Sequence, residues 1–112
     1  MTDPVWQDWR PFPDPNSGDY LVAPFGAGVY WLRDSVTGED IYIGQGGHVA
    51  QRMTSLLPAP FGHGHRENSE LRQFVLANAS RLEYTTTACP TKADAVLLEK
   101  RLHAEHPRRF TR

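Results

Sequence analysis

Four side chains in this sequence have types and spacing that could do chemistry together: Tyr30, Tyr42, Arg52 and Glu99. The tyrosines belong to Gly28-Val29-Tyr30 and Tyr42-Ile43-Gly44, so each phenol stands two residues from a glycine, a pattern that permits close approach to the backbone beside a hydroxyl. Arg52 lies eight residues past Gly44. Its planar guanidinium stays charged at physiological pH and can hold two phosphoryl oxygens at once. Glu99 falls inside the apolar stripe of a helix, between Val96 on one side and Ala95 and Leu102 on the other. A carboxylate there is costly unless it meets a cation or a metal ion, and Arg52 is one available partner. Taken singly, each residue has a plainer reading: strand tyrosines with hydroxyls at the surface, a snorkelling edge arginine, glycines that mark strand ends. Their joint order and spacing argue for a site.

The elements that must position these groups are legible in the pattern. Residues 27 to 32 and 41 to 43, rich in aromatic and aliphatic side chains, flank the polar run Asp34-Ser35-Val36-Thr37-Gly38-Glu39-Asp40, which predicts a β-hairpin. Alternation puts Val29, Trp31 and Arg33 on one face and Tyr30 and Leu32 on the other, and lets Tyr30 and Tyr42 share a face. Gly44, Gly46 and Gly47 are expected to break the second strand. Val49, Met53, Leu56 and Leu57 then form the stripe of a short helix that ends before Pro58, with His48 and Arg52 four residues apart along its edge. Asn68 or Ser69 caps a second helix carrying Leu71, Phe74 and Val75, and residues 82 to 89 read as a third strand. Thr91 with Asp94 opens the last helix, which runs to about His106 and stops at Pro107. The order is β-β-α-α-β-α.

Composition narrows the classes. A chain of 112 residues makes one domain, and 39% hydrophobic with 22% charged residues is ordinary for a globular protein. No apolar run approaches the ~20 residues of a bilayer span, so no membrane partner is expected. Asp3 and Asp8 stand where a signal peptide would be basic and then apolar, making the cytoplasm the expected compartment. Cys89 is alone, which excludes an internal disulfide and a cysteine-rich zinc site. The net charge of −1 hides a division, because residues 1 to 40 carry seven acids against two arginines, whereas residues 41 to 112 carry ten Lys/Arg against six acids. That basic part is compatible with a phosphate-binding face. Residues 1–24 hold five prolines with Trp6, Trp9 and Phe12 and read as an extended arm, strapped across residues 25–112 or offering Trp6 and Trp9 for stacking on a base or partner.

Gly28-Val29-Tyr30, Tyr42-Ile43-Gly44, Arg52 and Glu99 within Ala95-Val96-Leu97-Leu98-Glu99 resemble the GIY-YIG nuclease family over residues 26 to 112. The resemblance implies an α+β fold with a small central three-stranded antiparallel sheet flanked by helices. It also implies divalent-metal-dependent hydrolysis of phosphodiester bonds in DNA, single- or double-stranded. Glu99 would match the family's metal-binding carboxylate, holding Mg²⁺ (or Mn²⁺) that keeps most of its waters. Tyr30 matches the proposed general base, with Tyr42 sharing its proton or orienting the water. A phenol with a pKa near ~10 needs nearby positive charge for that task. Arg52 would stabilise charge developing on the scissile phosphate.

The sequence also departs from the family. Gln45 stands where relatives of the excision-repair incision nuclease have lysine, and Leu56 stands where a tyrosine or histidine is frequent. His48, one turn before Arg52, is either a replacement or a solvated histidine at the helix start. Thr111 aligns with a frequent asparagine and is a possible support near the metal. Gly44, Gln45, Arg66, Arg108 and Arg109 are expected at the nucleic acid, with Arg72, Lys100, Arg101 and Arg112 as further candidates for phosphate contacts. His63-Gly64-His65 lacks a third ligand and reads as a surface loop or a phosphate contact. The reading from another class is a catalytically weakened nucleic-acid or protein-binding module of the same fold, favoured by Gln45 and Leu56. A toxin or anti-phage effector is a third.

Overall fold

A computed structural model describes residues 4–62 and 69–111. Its elements are β1 (Arg10–Pro11), β2 (Gly28–Asp34), β3 (Asp40–Gly46), α1 (Val49–Thr54), α2 (Ser69–Asn78), β4 (Leu82–Ala88) and α3 (Lys92–Glu105). The class is α+β, as expected, but the antiparallel sheet has four strands in the order β1-β4-β2-β3 rather than three. The extra strand comes from the proline-rich arm. Pro11 lacks an N–H and so suits an edge, and Arg10–Pro11 pairs with Tyr84 and Glu83 on the outer side of β4. The arm is stitched to β4 beyond that pair, because Gln7 N donates to Thr86 O and Phe12 N to Leu82 O, while the Thr85 and Thr87 hydroxyls donate to the carbonyls of Gln7 and Val5.

The hairpin forms where the polar run predicts it. Asp34 Oδ1 accepts from the Val36 and Thr37 amides, and Gly38 takes φ 77°, a left-handed conformation that favours glycine. The sheet has a core on each face. On one side, Tyr30, Leu32, Tyr42 and Tyr84 pack with Val49, Met53, Leu56, Leu71 and Val75 of the α1 and α2 region. On the other, Val29 and Ile43 pack with Ala95 and Leu102 of α3. Trp6 and Trp9 lie edge-on to Trp31 at 5.7 and 5.8 Å between ring centroids, and the Arg33 guanidinium sits 3.7 Å from the Trp9 ring centre. The arm tryptophans are thus part of this hydrophobic face.

One expected boundary moves. Gly44 and Gly46 do not break the second strand but continue it to Gly46, paired with Tyr30 and Gly28. The absent side chains have a physical use. A Cβ on Gly44 would stand 2.6 Å from the Tyr30 hydroxyl and 2.7 Å from the Tyr42 ring, and one on Gly28 would press into the Thr87 carbonyl and Val49. Glycine lets the tyrosine rings close over β3 and lets α1 approach the start of β2.

Candidate active site

The site is built around the last residues of β3. Tyr30 and Tyr42 share one sheet face, as the alternation predicts, with ring centroids 5.9 Å apart. Their hydroxyls are not at the surface as ordinary strand tyrosines would have them: Tyr30 is 0% exposed and Tyr42 8%. The rings cover Gly44, which places both phenols against the backbone just before Gln45.

Glu99 reaches the same strand end from α3. Its carboxylate is half-buried and accepts the backbone N–H of Gln45. Burial pushes its pKa above the ordinary carboxylate value, and the charges of His103 and Arg108, the Gln45 N–H and the charge of Arg52 offset this only in part. Glutamate, arginine and the strand under the tyrosines therefore meet at one end of β3, the phenols on one face of the sheet and the acid at the open edge of the strand. Arg52 projects from α1, with its Cβ 3.5 Å from where a Gly46 Cβ would stand. His48 is the exposed N-cap of α1, and its Nδ1 accepts the Gln51 amide at 3.0 Å.

A cleft of about 610 Å³ opens beside this strand end, lined by Gln45, Gly46, Gly47, His48, Gln51, Arg52, Thr54, Ser55 and Lys92. No acid lines it. Arg52 and Lys92 make it cationic, which suits phosphate oxygens. A divalent cation also fits the donor set nearby. Glu99 offers a hard oxygen ligand with one N–H partner, the arrangement that suits an ion completed by water and phosphate oxygens. Among the described residues, no group of three or more His, Cys, Asp or Glu could enclose a metal, so a closed structural zinc site does not fit there.

Of the other described residues singled out in the sequence, Arg108 lies near Glu99 and the rest lie elsewhere. Arg109 makes a two-pronged pair with Glu39 at 2.8 and 3.0 Å, and its backbone N–H joins Asp40 O at the opposite end of β3. Arg108 donates to the carbonyls of His103 and His106, so it braces the end of α3 behind Glu99. Arg72 caps the carbonyls of Ser55 and Leu57. Leu56 is wholly buried in the core. Thr111 is exposed, one residue beyond the Phe110 N–Ile41 O bond. Arg66, Arg112, Asn68 and His63-Gly64-His65 lie outside the described residues.

Two residues escape the sequence reading. His103 stands one turn after Glu99, and its Nε2 is 2.8 Å from Ile43 O; a carbonyl only accepts, so that nitrogen carries the hydrogen. The signal for it was an i, i+4 pair on the α3 face that meets the sheet. Lys92, the first residue of α3, lines the cleft, and only the folded chain brings it beside Gly47.

The fold is similar to that of GIY-YIG endonuclease domains. The structures it resembles include the GIY-YIG N-terminal endonuclease domain of UvrC from Thermotoga maritima bound to its catalytic divalent cation, magnesium, at 24% identity and a TM-score of 0.58, over 80% of this chain and 86% of that one. A point mutant of the same domain, also bound to the catalytic divalent cation, matches at 22% identity and the same TM-score and coverage. No protein-family model and no curated protein matches the sequence.

Proposed function

We propose that this chain is a metal-dependent endonuclease of the GIY-YIG superfamily that hydrolyses phosphodiester bonds in DNA. The observation that carries the reading is the placement of Glu99 at the Gln45 N–H within the influence of Arg52, beside a strand whose Gly44 lies under two tyrosine rings. In this reading Glu99 holds Mg²⁺ or Mn²⁺ through its carboxylate. The bound ion supplies charge stabilisation at a phosphoryl oxygen and lowers the pKa of a nearby water. Arg52 holds the scissile phosphate from the cleft side and stabilises the charge that develops there. Tyr42 keeps a little surface and Tyr30 none, so the attacking water is better served by Tyr42, with Tyr30 orienting it from beneath Gly44. This reverses the division of labour that the family resemblance implies.

A second reading, a binding module with a weakened site, draws on Gln45 and Leu56, which supply neither a cation nor a proton-transfer group, and on the use of Glu99 to satisfy a backbone amide. Nicking of supercoiled plasmid DNA with and without Mg²⁺ separates the two. The nuclease reading expects metal-dependent nicking that falls by roughly 10²-fold or more in Glu99→Gln and in Arg52→Ala. Nicking that survives Glu99→Gln unchanged, or metal-free wild-type nicking, overturns it.

A further inference from the structure

We infer that the cleft next to the candidate active site binds an unpaired nucleotide of the DNA strand, with its phosphate at Lys92 and Arg52 and its base on Phe25. The inference rests on the nuclease reading and specifies the substrate as DNA with a single-stranded segment at the site. Phe25 is 81% exposed, yet its backbone is fixed, because Pro24 O and Gly26 O on either side accept the Ala50 and Val49 amides at the start of α1. An aromatic ring left largely in water gains little burial energy from the fold. Its ring lies 5.7 Å from the His48 ring, tilted 37°, and His48 lines the cleft. An exposed aromatic ring on an anchored backbone thus adjoins a cationic groove with no acid among the described residues that line it, the combination that holds single strands by stacking and by charge.

Lys92 supports the same conclusion. It makes no ion pair among the described residues, and a cation on the first residue of a helix faces the positive end of the helix dipole. Its position disfavours the fold and suits a phosphate. It also supplies, from another element, a cation that Gln45 does not bring to the strand end.

The test is fluorescence anisotropy in EDTA with the full chain and three labelled probes: a dT oligonucleotide, a blunt duplex and a duplex with a single-stranded overhang. Wild type is expected to prefer the strand and the overhang to the blunt duplex. Phe25→Leu, which keeps an apolar side chain and removes the ring, is expected to weaken the first two roughly tenfold and leave the blunt duplex unchanged. Lys92→Gln is expected to weaken all three, to reduce the slope of log affinity against log salt by about one, and to melt no lower than wild type. Arg10→Gln, on the far edge strand, serves as the control for loss of one surface charge. Equal losses on all probes for Phe25→Leu, or wild-type binding by both variants, overturn the inference while Glu99-dependent nicking stands. A wild type that neither binds nor nicks any of these DNAs overturns the nuclease reading instead.

Discussion

Among single residues, Gly44 and Glu99 carry the sharpest consequences. A methyl group on Gly44 would meet the Tyr30 hydroxyl and the Tyr42 ring inside contact distance, and Tyr30 is wholly buried. Gly44→Ala is expected to cost about 1–3 kcal/mol in urea unfolding and to lower nicking further than the stability loss explains, since both phenols must shift. Glu99 makes a pH prediction. Its pKa lies above the ordinary 4.5, so over that window the folded state holds a proton that the unfolded state has lost. Stability contributed by this group therefore falls as pH rises through and past that value. Without metal, Glu99→Gln is expected to melt higher than wild type near neutrality, with the difference closing below about pH 4. Mg²⁺ should raise the melting temperature of wild type alone, because the ion binds a folded-state ligand that the variant lacks. Asp34 runs the other way. Burial raises its pKa, but the Thr37 and Val36 amides and Arg81 outweigh this and hold it below the usual value, so its contribution is lost as pH falls through the folded-state pKa.

At the scale of elements, α3 is registered on β3 by side chains one turn apart. His103 donates to Ile43 O and Glu99 accepts from Gln45 N, so the histidine sets where along the strand edge the carboxylate sits. His103 is a positioning residue in this arrangement. His103→Leu is expected to lower the apparent affinity for Mg²⁺ several-fold and to speed hydrogen exchange at the Gln45 amide in metal-free protein. His103→Gln can place an N–H near the same carbonyl and should restore both. Wild-type exchange and metal affinity in His103→Leu would remove it from the site. The hairpin, the shared tyrosine face and the three helices were legible because turn residues, period-two alternation and helical periodicity are local. The depth of the tyrosines was not, since it depends on α1 and α2 closing over them. Nor was the continuation of β3 through its glycines, because sequence registers the missing side chain but not the rings that occupy its space.

For the molecule as a whole, the described part of the arm, residues 4–24, belongs to the sheet and its cores. Phe12 is 6% exposed and stacks edge-on with Tyr84 at 6.1 Å, and Val22 N donates to the Tyr84 hydroxyl. Phe12→Ala is expected to cost about 3–5 kcal/mol in urea unfolding, a loss that a loosely attached arm would not produce. Prolines hid this strand from the sequence reading, since they argue against a central strand and are silent about an edge. The opposite edge of the sheet is β3. Its outward backbone groups at Asp40, Ile41, Ile43 and Gln45 are taken by Arg109 N, Phe110 N, His103 and Glu99. Edge strands with open N–H and C=O groups recruit other chains, so covering them is protection against aggregation. Here two of the four covers are the acid proposed for catalysis and its positioning histidine, which ties the colloidal behaviour of the protein to the same atoms as its chemistry.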